Sequence, residues 1–480
     1  MILTIMISNI DILPGMSWEN VSGWGLVNKS KSLVYYAKTL DDCIKVIQFA
    51  KANGLSLLSS GKGYTFGDMI INHQNIIVKT TKMDKIISWD KNTGNIIVEP
   101  GVMVADVLMK SLPYNWVLCS IPGGLEVTIG GAVSNNIHGK DSWKVGNFGD
   151  RVVSLKMVTA SGEILSINKI ENKQLFNAVI GGMGLFGIII EITLQLQKVP
   201  SAYVEQKIIP TSNVQESIDL LEDAKNHADF SIAWVDAFSK GSKLGRGYVS
   251  MAKWVDEDIE IDQSRLVKSL TLSKKLFDML PAKPSWALFR PFYKPSNMKF
   301  VNALIFTLNG MKYNSNSSYG NKLLFSEYNF MHNKIPDFNY VYYPYGFLEI
   351  EFLFPEKYGY KPIAECLTIC QHLNCESMIS AIKVHKKDNF YISFSSDGYS
   401  FTIDIPLRGR KINEVYKSMN EILNHSMKYD ALVYLAKDEY LPKMIFNKMY
   451  PRYKEFLIIK NRIDPSGLFQ SDMYRRLLKD

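Results

Sequence analysis

A chain of 480 residues with 46% hydrophobic and 21% charged residues is too long for one core of ordinary size, and it lacks the composition of a disordered or collagen-like protein. Two or three packed domains are expected. Its five cysteines, an odd number at low density, exclude a disulfide framework and point to a reducing compartment. The net charge of +8 favours an anionic surface or substrate, with no nucleic-acid partner expected.

The opening Met1–Ile7 is apolar but short, lacks a basic start and meets Asn9 and Asp11 at once. It reads as neither signal peptide nor membrane span, which predicts a cytoplasmic protein. Apolar residues at Cys43, Ile44, Val46, Ile47, Phe49 and Ala50 predict a helix from Thr39 to Asn53, ended by Gly54. A strand over Leu55–Leu58 then enters the segment Ser60-Gly61-Lys62-Gly63-Tyr64-Thr65-Phe66-Gly67-Asp68. Strands are predicted at Ile76–Lys79, Ile86–Trp89 and Asn95–Glu99, and a helix at Val104–Ser111.

A second glycine-rich segment runs from Pro122-Gly123-Gly124 to Ile129-Gly130-Gly131-Ala132. Both segments read as strand-to-turn junctions where bare backbone N–H groups converge on a pyrophosphate, so a dinucleotide cofactor is the first expectation. Arg151–Ala160 and Glu163–Ile167, joined at Ser161-Gly162, predict a hairpin. The run Gly182-Met183-Gly184-Leu185-Phe186-Gly187 satisfies the G-x-G-x-x-G expression but lies between a predicted helix, Lys173–Ile180, and a predicted strand, Gly187–Gln197. A dinucleotide fingerprint needs the reverse order, so tight packing is the better reading. The N-terminal half is therefore α+β and not doubly wound.

Composition changes after Pro200. Tyr340–Pro355 reads as one long aromatic strand, and helical runs at Val214–Asn226, Pro362–Leu373 and Asn413–Asn424 flank such strands, predicting a second α+β domain on a half-covered antiparallel sheet. Residues 255–300 read as a long mobile excursion, a candidate lid. Between Asp278 and Glu327 stand Lys283, Arg290, Lys294, Lys299, Lys312 and Lys322 with no acidic residue, either a solvated loop or a patch for lipid head groups or phosphate. Cys366, Cys370, His372 and Cys375 could be metal ligands, but Cys366 and Cys370 share the apolar face of a helical run, which favours core packing and no metal.

Taken together, the loop at 60–68, Ile121-Pro122-Gly123-Gly124 with Thr128-Ile129-Gly130-Gly131-Ala132, Ile137-His138-Gly139-Lys140, Val158–Gly162 and Asp464–Phe469 resemble FAD-linked oxidases of the vanillyl-alcohol-oxidase (PCMH) type. The resemblance runs from Ser22–Gly25 to the C-terminus and includes Ala233–Ala237, Lys243–Gly247, Tyr434–Asp438 and Ser471–Arg476. The last two segments point to the branch acting on polyprenyl-phosphoryl pentoses.

That resemblance implies a two-part FAD-binding domain, residues 1–200 with a return at 431–480, and an inserted α+β substrate domain at 201–430 built on an antiparallel sheet. It places Gly61, Lys62, Gly63, Tyr64, Thr65, Gly67, Gly123, Thr128, Gly130, Gly131, Asn135, Asn136, His138, Ile189 and Tyr434 against FAD. The FAD is expected to be non-covalent, because the first loop has Tyr64, Thr65 and Phe66 and Asn135–His138 has no cysteine. Lys437 is the expected catalytic residue, with its pKa lowered in an enclosed site so that it takes the hydroxyl proton or stabilises the alkoxide, and His138 assists. Lys140, Glu351, Lys383, Thr402, Asp404 and Lys437 are expected to meet substrate. Thr402 stands where the family has a cysteine, Glu351 where it has a glutamine and Phe66 where it has a tyrosine.

The implied activity is oxidation of the C2 hydroxyl of a polyprenyl-phosphoryl pentose such as decaprenylphosphoryl-ribose, half of an epimerisation in cell-envelope glycan synthesis. Implied partners are a separate NAD(P)H-dependent keto-sugar reductase, a quinone or other electron acceptor, and peripheral contact with the inner face of the membrane. The rival readings are an aldonolactone or alditol oxidase passing electrons from a free sugar to oxygen, and a flavin-fold binding subunit without catalysis.

Overall fold

The computed structural model describes residues 11–257, 259–276, 279–315, 320–330, 333 and 335–479. The opening Met1–Asn9 and the side chain of Lys312 lie outside the described residues. Strands β1 (Met16–Ser22), β2 (Lys29–Tyr36), β3 (Leu57–Ser60) and β4 (Ile76–Lys79) form a mixed sheet in the order β1-β2-β4-β3, in which the β2–β4 and β3–β4 pairs are parallel. Helix α1 (Leu40–Ala52) covers it, burying Cys43, Val46, Ile47 and Ala50. It starts where Thr39 and Asp42 cap one another's free backbone N–H groups. The first glycine loop leaves β3 as expected, although the strand lies two residues later than Leu55–Leu58.

Strands β5 (Ile86–Trp89), β6 (Asn95–Val98), β8 (Val152–Val158), β9 (Ile164–Asn168) and β10 (Ile188–Gln195) form an antiparallel sheet in the order β5-β6-β10-β8-β9. A short ladder joins β7 (Trp116–Val117) to β11 (Gln197–Lys198). Helix α2 (Val104–Ser111) lies where expected, whereas helix α3 (Ile129–Asn135) has no counterpart in the sequence reading. The second glycine segment is thus a turn entering a helix, capped by Thr128, whose side chain accepts from Gly131 N.

Eight further strands form one antiparallel sheet in the order β17-β12-β14-β13-β19-β20-β18-β21: β12 (Tyr203–Thr211), β13 (Phe230–Val235), β14 (Gly247–Trp254), β17 (Asn321–Leu324), β18 (Phe347–Pro355), β19 (Ser380–His385), β20 (Gly398–Pro406) and β21 (Leu432–Val433). The run Tyr340–Pro355 is a strand only from Phe347, because Pro344 cannot donate to a ladder and Phe338–Tyr342 is a 3-10 turn. Residues 255–300 are not a bare loop. They hold helices Gln263–Leu270 and Ala282–Phe289, the small hairpin β15 (Lys275–Leu276) with β16 (Leu280–Pro281), and the start of helix Pro295–Ser315. Cys366 and Cys370 are buried on helix Lys361–His372 as packing residues.

The C-terminal segment closes on the N-terminal sheet. Asp464 builds its turn by accepting from Leu468 N, Phe469 N and the Lys460 ammonium, and Phe469 bridges in parallel to Leu57 of β3. From the last helix, Arg476 makes a bidentate contact with Asp68 at 2.7 Å and reaches Asp438 at 2.8 Å. Arg476 therefore ties the end of the glycine loop to the Lys437–Asp438 segment. Arg476→Ala leaves two buried carboxylates without their cation and is expected to cost about 3–5 kcal/mol, read as a drop in the urea midpoint of unfolding.

Candidate active site

Among the described residues, the backbone amides of Gly61, Lys62, Gly63, Tyr64 and Thr65 have no hydrogen-bond partner, and the same holds for Gly123 and Gly124. A run of partly exposed free donors in one glycine loop, ending at the buried Thr65, can converge on an anion such as a diphosphate. The two loops touch: a Cβ at Gly61 would lie 2.2 Å from Thr128 Oγ1. Gly130 packs against Pro100, and Gly67 against the Asp438 carbonyl. Gly63 sits at φ +90°, a conformation natural to glycine.

Lys79, which the sequence reading passed over, places its ammonium under this loop, 3.1 Å from Ser60 Oγ and 3.3 Å from Gly61 O. Burial lowers its pKa to about 8. Lys62 and the Tyr64 hydroxyl both bind Glu126 of the second loop, and Thr65 Oγ1 and Asn135 Oδ1 are buried without a partner. Such orphaned polar atoms beside free amides fit a polar, phosphate-bearing cofactor. A small pocket follows, lined among others by Asn135, Gly181, Met183, Phe394 and Tyr434.

Asn136 also borders that pocket, but its side chain is spent within the fold, donating to Asp388 at 2.8 Å and accepting from Gly149 N at 3.0 Å. Ile189 is buried at a bulge in β10, on the sheet that packs against α3.

Register builds the second half of the site. Directly paired residues share a sheet face, and Glu349 pairs with Asp404, Glu351 with Thr402, Lys383 with Ser400. Alternation adds His385 two residues beyond Lys383. One face of the sheet thus carries two glutamates, an aspartate, a lysine and a histidine.

Tyr434, just after β21, donates its backbone N–H to the Glu351 carbonyl at 2.9 Å and its hydroxyl to the Asn135 carbonyl at 3.1 Å. The 3-10 turn Leu435–Lys437 then sets the Lys437 ammonium 2.7 Å from Glu349 and 2.9 Å from Glu351. From the loop after α3, His138 places Nε2 at 3.4 Å from Glu351 and Nδ1 at 3.5 Å from the Lys383 ammonium.

These groups set one another's charge. Burial, with help from Lys383 and Lys437, drops the His138 pKa to about 4 against the opposing pull of Glu351. The ring is therefore neutral, facing Glu351 with Nε2 and the Lys383 ammonium with Nδ1. Glu351 is desolvated, but the charges of Lys437 and Lys383 and its contact with His138 hold it well below the usual carboxylate range. Glu349 goes the other way: burial raises it to about 7, only partly offset by Lys437. The two carboxylates compete for one ammonium, and the one enclosed by more positive charge stays ionised.

For Lys437 the structure overturns the expectation of a lowered pKa. Burial alone would lower it, but the charges of Glu349 and Glu351 and their hydrogen bonds outweigh that and raise it above the ordinary lysine value. Lys437 is held as an ammonium donor and is not a neutral base.

Other expected substrate contacts are also committed inside the fold. The Asp404 carboxylate accepts from Tyr342 OH at 2.6 Å and Ile379 N at 2.7 Å, so it braces the strand. The Lys140 ammonium donates to the carbonyls of Tyr328 and Asn329 at 3.0 and 3.2 Å, with its pKa lowered to about 7 chiefly by burial. Thr402 is half-buried beside Glu351. Ligand atoms of His138, Glu351 and His385 lie within 4.8 Å of one another, with the Lys437 ammonium 2.9 Å from Glu351 and the Lys383 ammonium 3.5 Å from His138 beside them.

Glu349 and His385 were missed by the sequence reading. The signal was present in Leu348-Glu349-Ile350-Glu351-Phe352, where two acids two residues apart on an apolar strand must share a face.

Residues 32–168 match the family model described as FAD binding domain. Over 467 residues the chain is 27% identical to decaprenylphosphoryl-beta-D-ribose oxidase of Mycolicibacterium smegmatis, covering 96% of this chain and 97% of that protein. It is also 25% identical over 203 residues to bovine (Bos taurus) L-gulonolactone oxidase, covering 42% of this chain and 45% of that one. A D-lactate dehydrogenase of Anaerostipes hadrus is 28% identical over 189 residues, 38% of this chain and 39% of that protein. An FAD binding domain in the N-terminal part and likeness to an oxidase along nearly the whole chain agree with the free amides at 61–65 and the polar face beside them: residues 32–168 are an FAD binding domain, and the chain as a whole is similar to FAD-linked oxidases.

Proposed function

We propose that this protein oxidises a secondary alcohol of a lipid-linked sugar phosphate, the C2 hydroxyl of a polyprenyl-phosphoryl pentose such as decaprenylphosphoryl-ribose, to the keto sugar, as one half of an epimerisation. In this reading residues 1–200 with 431–480 bind non-covalent FAD and 201–430 bind the substrate. A separate NAD(P)H-dependent reductase takes the keto sugar, and a quinone or similar acceptor takes the electrons. The observation that carries it is the charged set Lys437, Glu349, Glu351, His138 and Lys383, buried beside the unused amides of the glycine loop.

Bound FAD would accept the hydride leaving the carbinol carbon. The Lys437 ammonium donates to the substrate hydroxyl oxygen and stabilises negative charge developing there. Glu349 takes the hydroxyl proton, since its raised pKa brings it near the working pH. Neutral His138 braces Glu351, which keeps Lys437 charged and in place. Lys383, buried and with its pKa lowered first by desolvation, is the cation available to a substrate oxyanion.

The test is anaerobic addition of polyprenyl-phosphoryl-ribose in detergent to the yellow protein. Bleaching of the oxidised flavin band supports the proposal. Bleaching by free aldonolactones or alditols alone, with peroxide formed in air, supports the free-sugar oxidase reading that the L-gulonolactone oxidase match favours. No bleaching by either leaves the binding-subunit reading. The rate of bleaching by the lipid-linked substrate should rise with pH through about 7 as Glu349 loses its proton. Glu349→Gln should remove that limb and slow the reaction by about 10²–10⁴-fold; an unchanged pH profile would take the base role from Glu349.

A further inference from the structure

No described helix is long and apolar enough to cross a membrane, yet one face of the molecule is unusually apolar. On helix Pro295–Ser315, Phe300, Leu304 and Leu308 follow one another at i, i+4 and i+8 and are 72%, 48% and 49% exposed. That spacing puts them in a single row on the helix surface. The opposite face holds the helix to the protein: Met298 and Asn302 are buried, Asn302 donates to Asp236, and the Arg246 guanidinium lies over the Phe306 ring at 4.8 Å. The row is therefore presented outward by a helix anchored on its other side.

The preceding turn extends the patch. Leu288 and Phe292 are 67% and 55% exposed, and the turn is tied to the start of the helix by Asn297, which donates to the Pro291 carbonyl at 2.9 Å. Lys294 and Lys299 stand exposed between these apolar groups. From residue 279 to 320 the chain has no acidic residue.

The patch leads inward to the site. Tyr293 packs on Tyr342 with ring centroids 5.6 Å apart, Tyr342 on Phe347 at 4.1 Å and Phe347 on Phe66 at 5.6 Å, and the Lys437 ammonium lies 5.9 Å from the Phe66 ring. An unbroken aromatic path joins the exposed face to the charged cluster.

We infer that Phe292, Phe300, Leu304 and Leu308, ringed by Lys294 and Lys299, form a docking surface by which the protein lies on an anionic lipid bilayer without crossing it. Large apolar side chains interleaved with lysines match the acyl boundary and the phosphate layer of such a surface. A two-fold contact between copies would set lysine against lysine with no acid from either segment to neutralise them. Docking of this face goes beyond the sugar reading, because it requires only bilayer and protein.

The experiment is flotation of the flavin-loaded protein with vesicles of phosphatidylglycerol and phosphatidylcholine in equal parts, beside vesicles of phosphatidylcholine alone. Wild type should float with the mixed vesicles and be released by high salt. The variants Phe300→Ser/Leu304→Ser/Leu308→Ser and Lys294→Glu/Lys299→Glu should bind roughly tenfold more weakly or worse, while keeping their yellow colour and their bleaching by detergent-solubilised substrate. Wild type that stays at the bottom, variants that float as well as wild type, or a wild-type dimer that the serine variant dissociates would each overturn the assignment. Bleaching without flotation would sink the docking surface and leave the enzymatic reading standing; flotation without bleaching would do the reverse.

Discussion

Lys437→Ala is expected to give a yellow protein that its substrate no longer bleaches, with anaerobic flavin reduction slowed by about 10²–10⁴-fold. Flavin retention follows from geometry: the free amides of Gly61–Thr65 and the buried Thr65 and Asn135 side chains do not depend on the Lys437 ammonium. The loss follows from charge. Lys437 is the cation shared by Glu349 and Glu351 at 2.7 and 2.9 Å, and without it nothing offers a proton to an alkoxide between them.

The same substitution strands Glu351, 1% exposed, and should cost about 3–5 kcal/mol of stability. A companion variant separates the two effects. Lys437→Ala/Glu351→Gln removes the stranded charge and should recover most of the stability while remaining inactive. Substrate bleaching at the wild-type rate in Lys437→Ala would falsify the role given to this lysine.

Gly67→Ala should be strongly damaging, yielding protein that loses its yellow colour on gel filtration. A Cβ there would lie 2.0 Å from the Asp438 carbonyl oxygen and 2.5 Å from Glu439 Cγ, and a backbone atom cannot turn aside as a side-chain tip can. The glycine loop and the Lys437 segment must separate, breaking the bond from Phe66 N to the Ala436 carbonyl at 2.9 Å. Overpacking of this kind costs about 1–3 kcal/mol, concentrated where cofactor and charged cluster meet. Gly310→Ala is the matched control. Nothing lies within 4 Å of its Cβ position on an α-helix, so it should keep its colour and gain up to about 1 kcal/mol. Equal flavin retention in the two variants would refute the close-approach account.

Much of the N-terminal half could be read from local pattern. Helix α1 declares itself by its cap and its apolar stripe, and the glycine loop by residues that only a close approach or a positive φ requires. Helix α3 could not be read this way, because Gly130 and Gly131 are poor helix formers. They are helical because Thr128 caps Gly131 and because the contact with Pro100 leaves no room for a Cβ at Gly130. Tertiary packing overrode propensity there. It did the same across 255–300, where mixed charge and several prolines concealed two helices and part of a third.

The chain by itself determined where backbone could be bared for a cofactor, and that a strand reading Leu348-Glu349-Ile350-Glu351-Phe352 must aim two acids one way, because both are set by the geometry of neighbouring residues. Only the tertiary structure decided what those acids meet. Lys437, Glu349 and His138 come from three distant stretches of chain, and the protonation of each depends on charges a few ångströms away through space. So the lysine expected to have a lowered pKa is held as an ammonium, and the glutamate beside it, whose pKa is raised instead, comes into view only once the strands are paired.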